Sequence, residues 1–269
     1  MSEVSDLEKI AQDVRKDVMC MLVGTRGGHF GGAYSCIETL VALYFKIMKK
    51  NDVFILSKAH ASVSLYSILA KKGILDKKTL KTYGKYASPL GVHAEKEHVP
   101  GIEFSCGSLG HGLSFGAGIA WANKLKNSND KVYVLIGDGE SEEGTVWEAA
   151  MFAPHHKLDN LVAILDYNKI QSMDRIEDVV SFEPIVDKWK AFGWNVLEMN
   201  GHDFSSILKT FKEVAKSQNK PTIIIAHTVK GKGFSFMENQ PLWHYRCPNP
   251  EELKIAKEKL CITEEDLKP

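Results

Sequence analysis

The chain has 269 residues, 44% hydrophobic and 25% charged, the proportions of a well-packed globule. Lys plus Arg and Asp plus Glu both total 34, so no net charge recommends nucleic acid or an anionic membrane as a partner. No apolar run approaches the ~20 residues that span a bilayer, and five cysteines without a Cys-x-x-Cys pair predict free thiols in a reducing, cytoplasmic setting.

No repeat, low-complexity tract or Pro/Gly/Ser linker divides the chain, so a single domain over 1–269 is expected. Helical periodicity runs over 7–22 and 35–48. Short apolar, β-branched runs then predict strands at 53–56, 132–136, 161–165, 196–197 and 222–226. Helical stretches lie between and after them, at 61–71, 113–126, 145–152, 184–192, 204–216 and 251–259. This alternation predicts a three-layer α/β fold, a parallel sheet with helices on both faces. Ligands in such sheets collect at the carboxyl ends of the strands. Three predicted strands run into unusual residues there: Ser57-Lys58-Ala59-His60, Gly137-Asp138-Gly139-Glu140 and Asp166-Tyr167-Asn168.

Asp138 can offer a carboxylate oxygen to a metal ion, Asn168 an amide oxygen, and Ile170 a backbone carbonyl. Three protein oxygens suit Mg²⁺, which takes its remaining ligands from phosphate and water. One strand-helix-strand excursion separates the two segments, so adjacent parallel strands would place both tips on one rim. Gly-Asp-Gly alone is also a common turn. An EF-hand starting at Asp138 would need glycine where Glu143 stands and a carboxylate where Ala149 stands. A P-loop would need Lys where Thr145 follows Gly144, and Phe115 occupies the third glycine position of a dinucleotide fingerprint begun at Gly110.

Of ten histidines, His29, His60, His93 and His244 sit beside small or aromatic residues in predicted loops. Neutral imidazoles there can donate to diphosphate and sugar oxygens and move protons; no spacing supports zinc. Gly107-Ser108-Leu109-Gly110-His111-Gly112 opens a helix whose amides can face an anion or a heteroaromatic ring. Lys58 and the Lys230-Gly231-Lys232-Gly233 loop add cations at strand ends.

Together these segments resemble the transketolase family from about His29 to His244, its thiamine-diphosphate signature being Gly137–Gly139 followed by Asn168. Glu143-Gly144, Trp147-Glu148-Ala149-Ala150, Leu158-Asp159-Asn160-Leu161, Gly201-His202-Asp203 and Trp243-His244 follow the family's order. The resemblance implies thiamine diphosphate as cofactor, bridged by Mg²⁺ (or Ca²⁺ in its place) on Asp138, Asn168 and the Ile170 carbonyl. It places Lys58, His60, Gly139, Glu140, Asn168, Lys230 and His244 around the diphosphate and thiazolium, and Gly107, Ser108 and Leu109 beside the aminopyrimidine. His29, His93 and His244 become the catalytic histidines around the donor sugar, and Glu143 an interface residue. The implied activity is transfer of a two-carbon ketol unit from a ketose to an aldose, the sugars being phosphates or activated sugars.

A full-length transketolase continues into a pyrimidine-binding and a further domain. The resemblance therefore implies half of a split enzyme that self-associates and needs a C-terminal subunit carrying the pyrimidine domain. Some neighbours depart from the family pattern. His-Pro-Gly becomes His29-Phe30-Gly31, Lys-Gly-His becomes Lys58-Ala59-His60, Gly-Gln-Gly becomes Gly110-His111-Gly112, and His-Gly becomes His244-Tyr245. Two rivals share the fold: the α subunit of a 2-oxo acid dehydrogenase, and an inert regulatory subunit.

Overall fold

In the computed structural model, which describes residues 3–172 and 174–267, the chain opens with α1 (Glu3–Gly24). Leu7, Ala11, Val14, Val18 and Leu22 recur every three or four positions and are all buried, so this helix lays one apolar stripe on the core. Glu3 and Asp6 in its first turn complement the helix dipole. Next come α2 (Phe30–Ser35), α3 (Ile37–Ala42), β1 (Val53–Leu56) and α4 (Ser62–Lys71). A long segment with one 3₁₀ turn (Lys77–Thr82) leads to α5 (His111–Leu125), β2 (Val132–Gly137), α6 (Gly144–His155) and β3 (Leu161–Tyr167). The remainder is α7 (Ile176–Val179), α8 (Ile185–Ala191), β4 (Asn195–Asn200), α9 (Phe204–Val214), β5 (Thr222–His227), α10 (Pro250–Leu260) and α11 (Glu264–Leu267).

Among the described residues the five strands form one sheet in the order β1-β2-β3-β5-β4, with every pair parallel. Successive side chains go to opposite faces and build two cores. Phe54, Leu56, Tyr133, Leu135, Val162, Ile164 and Ile224 pack beneath α1–α4, α9 and α10. Ile55, Val134, Ile136, Ala163, Leu165 and Ile225 pack beneath α5, α6 and α8. The three-layer expectation therefore holds.

The helix expected over 35–48 is a different object. Helix α2 begins at Phe30, Cys36 (φ −109°, ψ 8°) separates it from α3, and Leu43–Ile47 relaxes into a π turn before extended Met48. Gly31 and Gly32 suggested a loop, yet both are buried within α2. A Cβ on Gly31 would come within 2.8 Å of the Lys230 side chain and 2.9 Å of the Trp243 carbonyl, so close packing set this composition. Strand β4, expected as two residues, is six long. It is a half-covered edge strand, and Asn195, Glu198 and Asn200 break its apolar run. The cysteines Cys20, Cys36, Cys106, Cys247 and Cys261 are free, as expected. No helix among the described residues is long and apolar enough to cross a membrane.

Candidate active site

The chemistry-bearing segments leave the carboxyl ends of β1, β2, β3 and β5. Adjacent β2 and β3 pair Gly137 with Asp166, which puts Asp138 and Asn168 on one rim. A cavity of about 340 Å³ opens there, lined among others by Lys58, His60, Leu109, Asp138, Gly139, Glu140, Glu143, Asn168, Ile170, Lys230 and His244.

Asp138 is buried, and among the described residues its carboxylate accepts only backbone donors: Gly139 N at 2.9 Å and Lys169 N at 2.6 Å. Burial, and next the neighbouring Asp166, push its carboxyl up to about 6. No ion pair neutralises Asp138 among the described residues, in contrast to Asp166. Asn168 is buried beside it, its Oδ1 accepting Ile170 N at 3.1 Å and its Nδ2 donating to Asp166 at 3.2 Å. The Ile170 carbonyl already faces a cation, since the Lys230 ammonium donates to it at 2.8 Å and to Gln171 O at 3.2 Å. An unpaired buried carboxylate, an amide oxygen and a carbonyl that attracts cations are hard oxygen donors, and they fit Mg²⁺.

The two lysines differ. Lys58 donates to Gly32 O (2.9 Å), Ser35 Oγ (3.0 Å) and the Asp166 carboxylate, which uses its three donors inside the protein. It lines the cavity and holds Asp166, a role that the resemblance did not assign. Asp166 also accepts from Ser35 and from Thr228 Oγ1, and these contacts together with Lys58 hold its carboxyl low against the opposing effect of burial. Lys230 has no carboxylate partner among the described ion pairs, and burial lowers it to about 8. Its segment is fixed from behind. Val229 N donates to His202 Nε2 at 2.8 Å, so the neutral ring carries its proton on Nδ1 and donates it to Glu38 (3.2 Å). Glu38 in turn accepts from Arg15 at 2.5 Å.

Glu140 is buried and acts as a clamp. One oxygen accepts from Ser57 Oγ and from Gly110 N (2.9 Å), the other from Gly137 N (2.9 Å). It thereby ties the β1 and β2 ends to the glycine loop before α5. Gly110 has φ +87°, and a Cβ there would meet Thr145 Oγ1 at 2.6 Å and Glu143 Cβ at 2.7 Å. Leu109 reaches the cavity, whereas Gly107 and Ser108 lie exposed outside its lining, Gly107 close to the His93 ring.

The four histidines converge from segments far apart in sequence. The His29 ring centroid lies 4.3 Å from His60, 5.1 Å from His244 and 6.0 Å from His93. His60 is 5.5 Å from His93 and 5.0 Å from His244. Ring nitrogens of His29, His60 and His244 lie within 4.8 Å of one another, a convergence that spacing did not foresee. It is a poor zinc site all the same. Lys230 donates to His244 Nδ1 at 3.1 Å, and the lysines beside these rings oppose a dication. The His93 Nδ1 is buried and without a hydrogen-bond partner among the described residues, so it is free for a ligand.

Burial, reinforced by neighbouring rings and lysines, lowers His29 to about 4, His60 to about 2 and His244 to about 3. Unfolding returns them to 6.5, so between about pH 6.5 and 4 the unfolded chain binds more protons than the folded one. Their contribution to stability is present above about pH 6.5 and is lost as the pH falls through the folded values. The Tm should drop on going from about pH 7 to about pH 5, and by less in His60→Asn. An equal drop in the variant would contradict this.

Residues 8–267 match the family description "Transketolase, thiamine diphosphate binding domain". The chain belongs to the transketolase family. It is 43% identical over 263 residues to an apulose-4-phosphate transketolase subunit of Phocaeicola vulgatus, covering 94% of this chain and 93% of that one. It is 38% identical over 264 residues to a 6-deoxy-6-sulfo-D-fructose transketolase subunit of a Clostridium species, covering 95% and 96%. The solved transketolase of Campylobacter jejuni superposes with a TM-score of 0.90 at 31% identity, covering 97% of this chain and 43% of that one. This transketolase-family chain thus spans less than half of that solved chain and nearly all of the two subunits. Thiamine diphosphate is the cofactor of the matched domain, and the family decides against a 2-oxo acid dehydrogenase α subunit.

Proposed function

We propose that this chain is the diphosphate-binding subunit of a two-subunit transketolase that moves a two-carbon ketol unit from a ketose to an aldose. The observation that carries the reading is the unpaired, buried Asp138 carboxylate beside Asn168, the Ile170 carbonyl and a cluster of neutral histidines. Similarity to proteins named as transketolase subunits, over 93% and 96% of their lengths, supports the split arrangement.

In this reading Asp138, Asn168 and the Ile170 carbonyl would hold Mg²⁺ for thiamine diphosphate. Lys230, His60 and His244 would donate to the diphosphate oxygens. Thiamine diphosphate held there would supply an electron sink for cleavage of the ketose carbon–carbon bond. His29 and His93 orient the donor and exchange protons with its hydroxyls. Burial keeps the His29 imidazole unprotonated, and a neutral ring can both accept and donate. Glu140 and Asp166 hold these groups in place without touching sugar. Glu143, exposed at the start of α6 and at the cavity edge, would meet the partner subunit.

Replacing His29 or His93 by Ala should lower donor turnover in the assembled enzyme by ~10²–10⁴-fold while leaving cofactor affinity within ~3-fold, because general acid–base contacts act in the transition state. Calorimetry and steady-state kinetics separate the two effects. Wild-type turnover in either variant would remove that histidine from the mechanism.

A further inference from the structure

Tyr245 follows His244 at the edge of the histidine cluster, and the structure shows where its ring stands. Its backbone is fixed on both sides. Trp243 is buried and donates from Nε1 to Phe236 O at 2.8 Å. Arg246 exchanges backbone hydrogen bonds with Gly28 at 3.3 and 3.4 Å, lies 4.2 Å from the Trp243 ring centroid and pairs with Glu252 at 2.6 Å. Extended Tyr245 (φ −150°, ψ 103°) therefore cannot swing away with its backbone. Its ring meets His29 edge-on, with centroids 4.9 Å apart, yet its exposure is 58%. So the ring stands on the open side of the histidine cluster, against the His29 ring.

A core tyrosine would be covered, and a purely superficial one would not pack on His29. We propose that Tyr245 is a specificity-determining residue, a wall that shortens the sugar cleft beside His29 and selects compact ketose donors over long linear ones. The idea rests on the ketol-transfer reading and adds the residue that sizes the donor. The ring occupies space that a glycine or alanine at this position would leave open, so the far carbons of a long ketose phosphate meet the phenol. The carbons transferred, next to the histidines, do not.

The test uses the assembled two-subunit enzyme with hydroxypyruvate, a three-carbon donor, and sedoheptulose 7-phosphate, a seven-carbon one. Tyr245→Gly should raise the kcat/KM ratio of the long donor to the short one by at least ~10-fold, since a small misfit in a pocket is worth about 10–200-fold. Tyr245→Phe, which keeps the ring, should hold the ratio within ~2-fold. Tyr245→Ala should follow the glycine variant and guards against a backbone effect of glycine. Cofactor affinity, measured in parallel, should be the same in all three. An unchanged ratio in Tyr245→Gly and Tyr245→Ala would overturn the proposal, as would an equal loss with both donors, which would make the ring a mere support for His29. A wild-type enzyme inert towards hydroxypyruvate and sedoheptulose 7-phosphate alike would instead overturn the ketol-transfer reading beneath it.

Discussion

Asp138→Ala is expected to weaken Mg²⁺-dependent binding of thiamine diphosphate to the assembled enzyme by more than ~100-fold, because loss of even an outer partner of a metal ligand commonly costs ~10–100-fold. The substitution removes the one anionic oxygen of the proposed metal set, and Asn168 with the Ile170 carbonyl supplies only neutral dipoles in its place. The variant should not fail by unfolding. In the metal-free chain Asp138 is a buried carboxylate beside Asp166 with no ion pair among the described residues, so its charge is a cost to the fold that the cation relieves. Asp138→Asn keeps an acceptor for one of Lys169 N and Gly139 N, which bond to different carboxylate oxygens, and removes the buried charge; it should fold without metal, yet bind cofactor as poorly as Asp138→Ala. Calorimetry with and without Mg²⁺ checks affinity, and thermal melts check folding. Wild-type affinity in the folded variants would place the metal elsewhere.

The part of the site made by consecutive strand ends was legible in the sequence. Asp138 and Asn168 each follow a short apolar run, and one helix between two strands of a parallel sheet fixes their tips as neighbours. The histidine cluster was legible residue by residue, and as a cluster only through the resemblance, because His29, His60, His93 and His244 come from four separate segments. Least legible were the groups that face inward. A lysine after a strand gives no sign of whether it meets solvent, phosphate or a buried acid, and Lys58 meets Asp166. Asp166 itself, one of few charges in a β strand with both faces covered, was the available signal, since such a charge is buried only when paired. Gln171, whose carbonyl shares the Lys230 ammonium and whose side chain donates to Glu142 at 3.0 Å, carried no signal. Helix α2 was hidden because glycines that serve close packing look the same in sequence as glycines that serve a turn.

The other large effect concerns partnership. Beyond the cavity that holds the proposed metal and diphosphate residues, apolar residues stay uncovered in the single chain: Phe115, Trp121 and Leu125 on α5, and Met151 on α6. Stable obligate interfaces commonly bury ~2,000 Å² or more, and these two helices, packed against each other beside Glu143, are where such a surface would begin. Alone, the polypeptide should self-associate or be poorly soluble and show no ketol transfer. Mixed with a subunit that carries a pyrimidine-binding domain, it should form a two-plus-two assembly and bind cofactor more tightly.

The most direct measurement is ketol transfer from hydroxypyruvate to an aldose phosphate by the purified chain, before and after addition of that subunit, with mass spectrometry establishing which polypeptides are present. Activity that is absent with this chain alone, appears on mixing and is lost again with Asp138→Ala is the predicted result. Turnover by this polypeptide unaided, or a stable mixed assembly that remains inert with its cofactor bound, would contradict it.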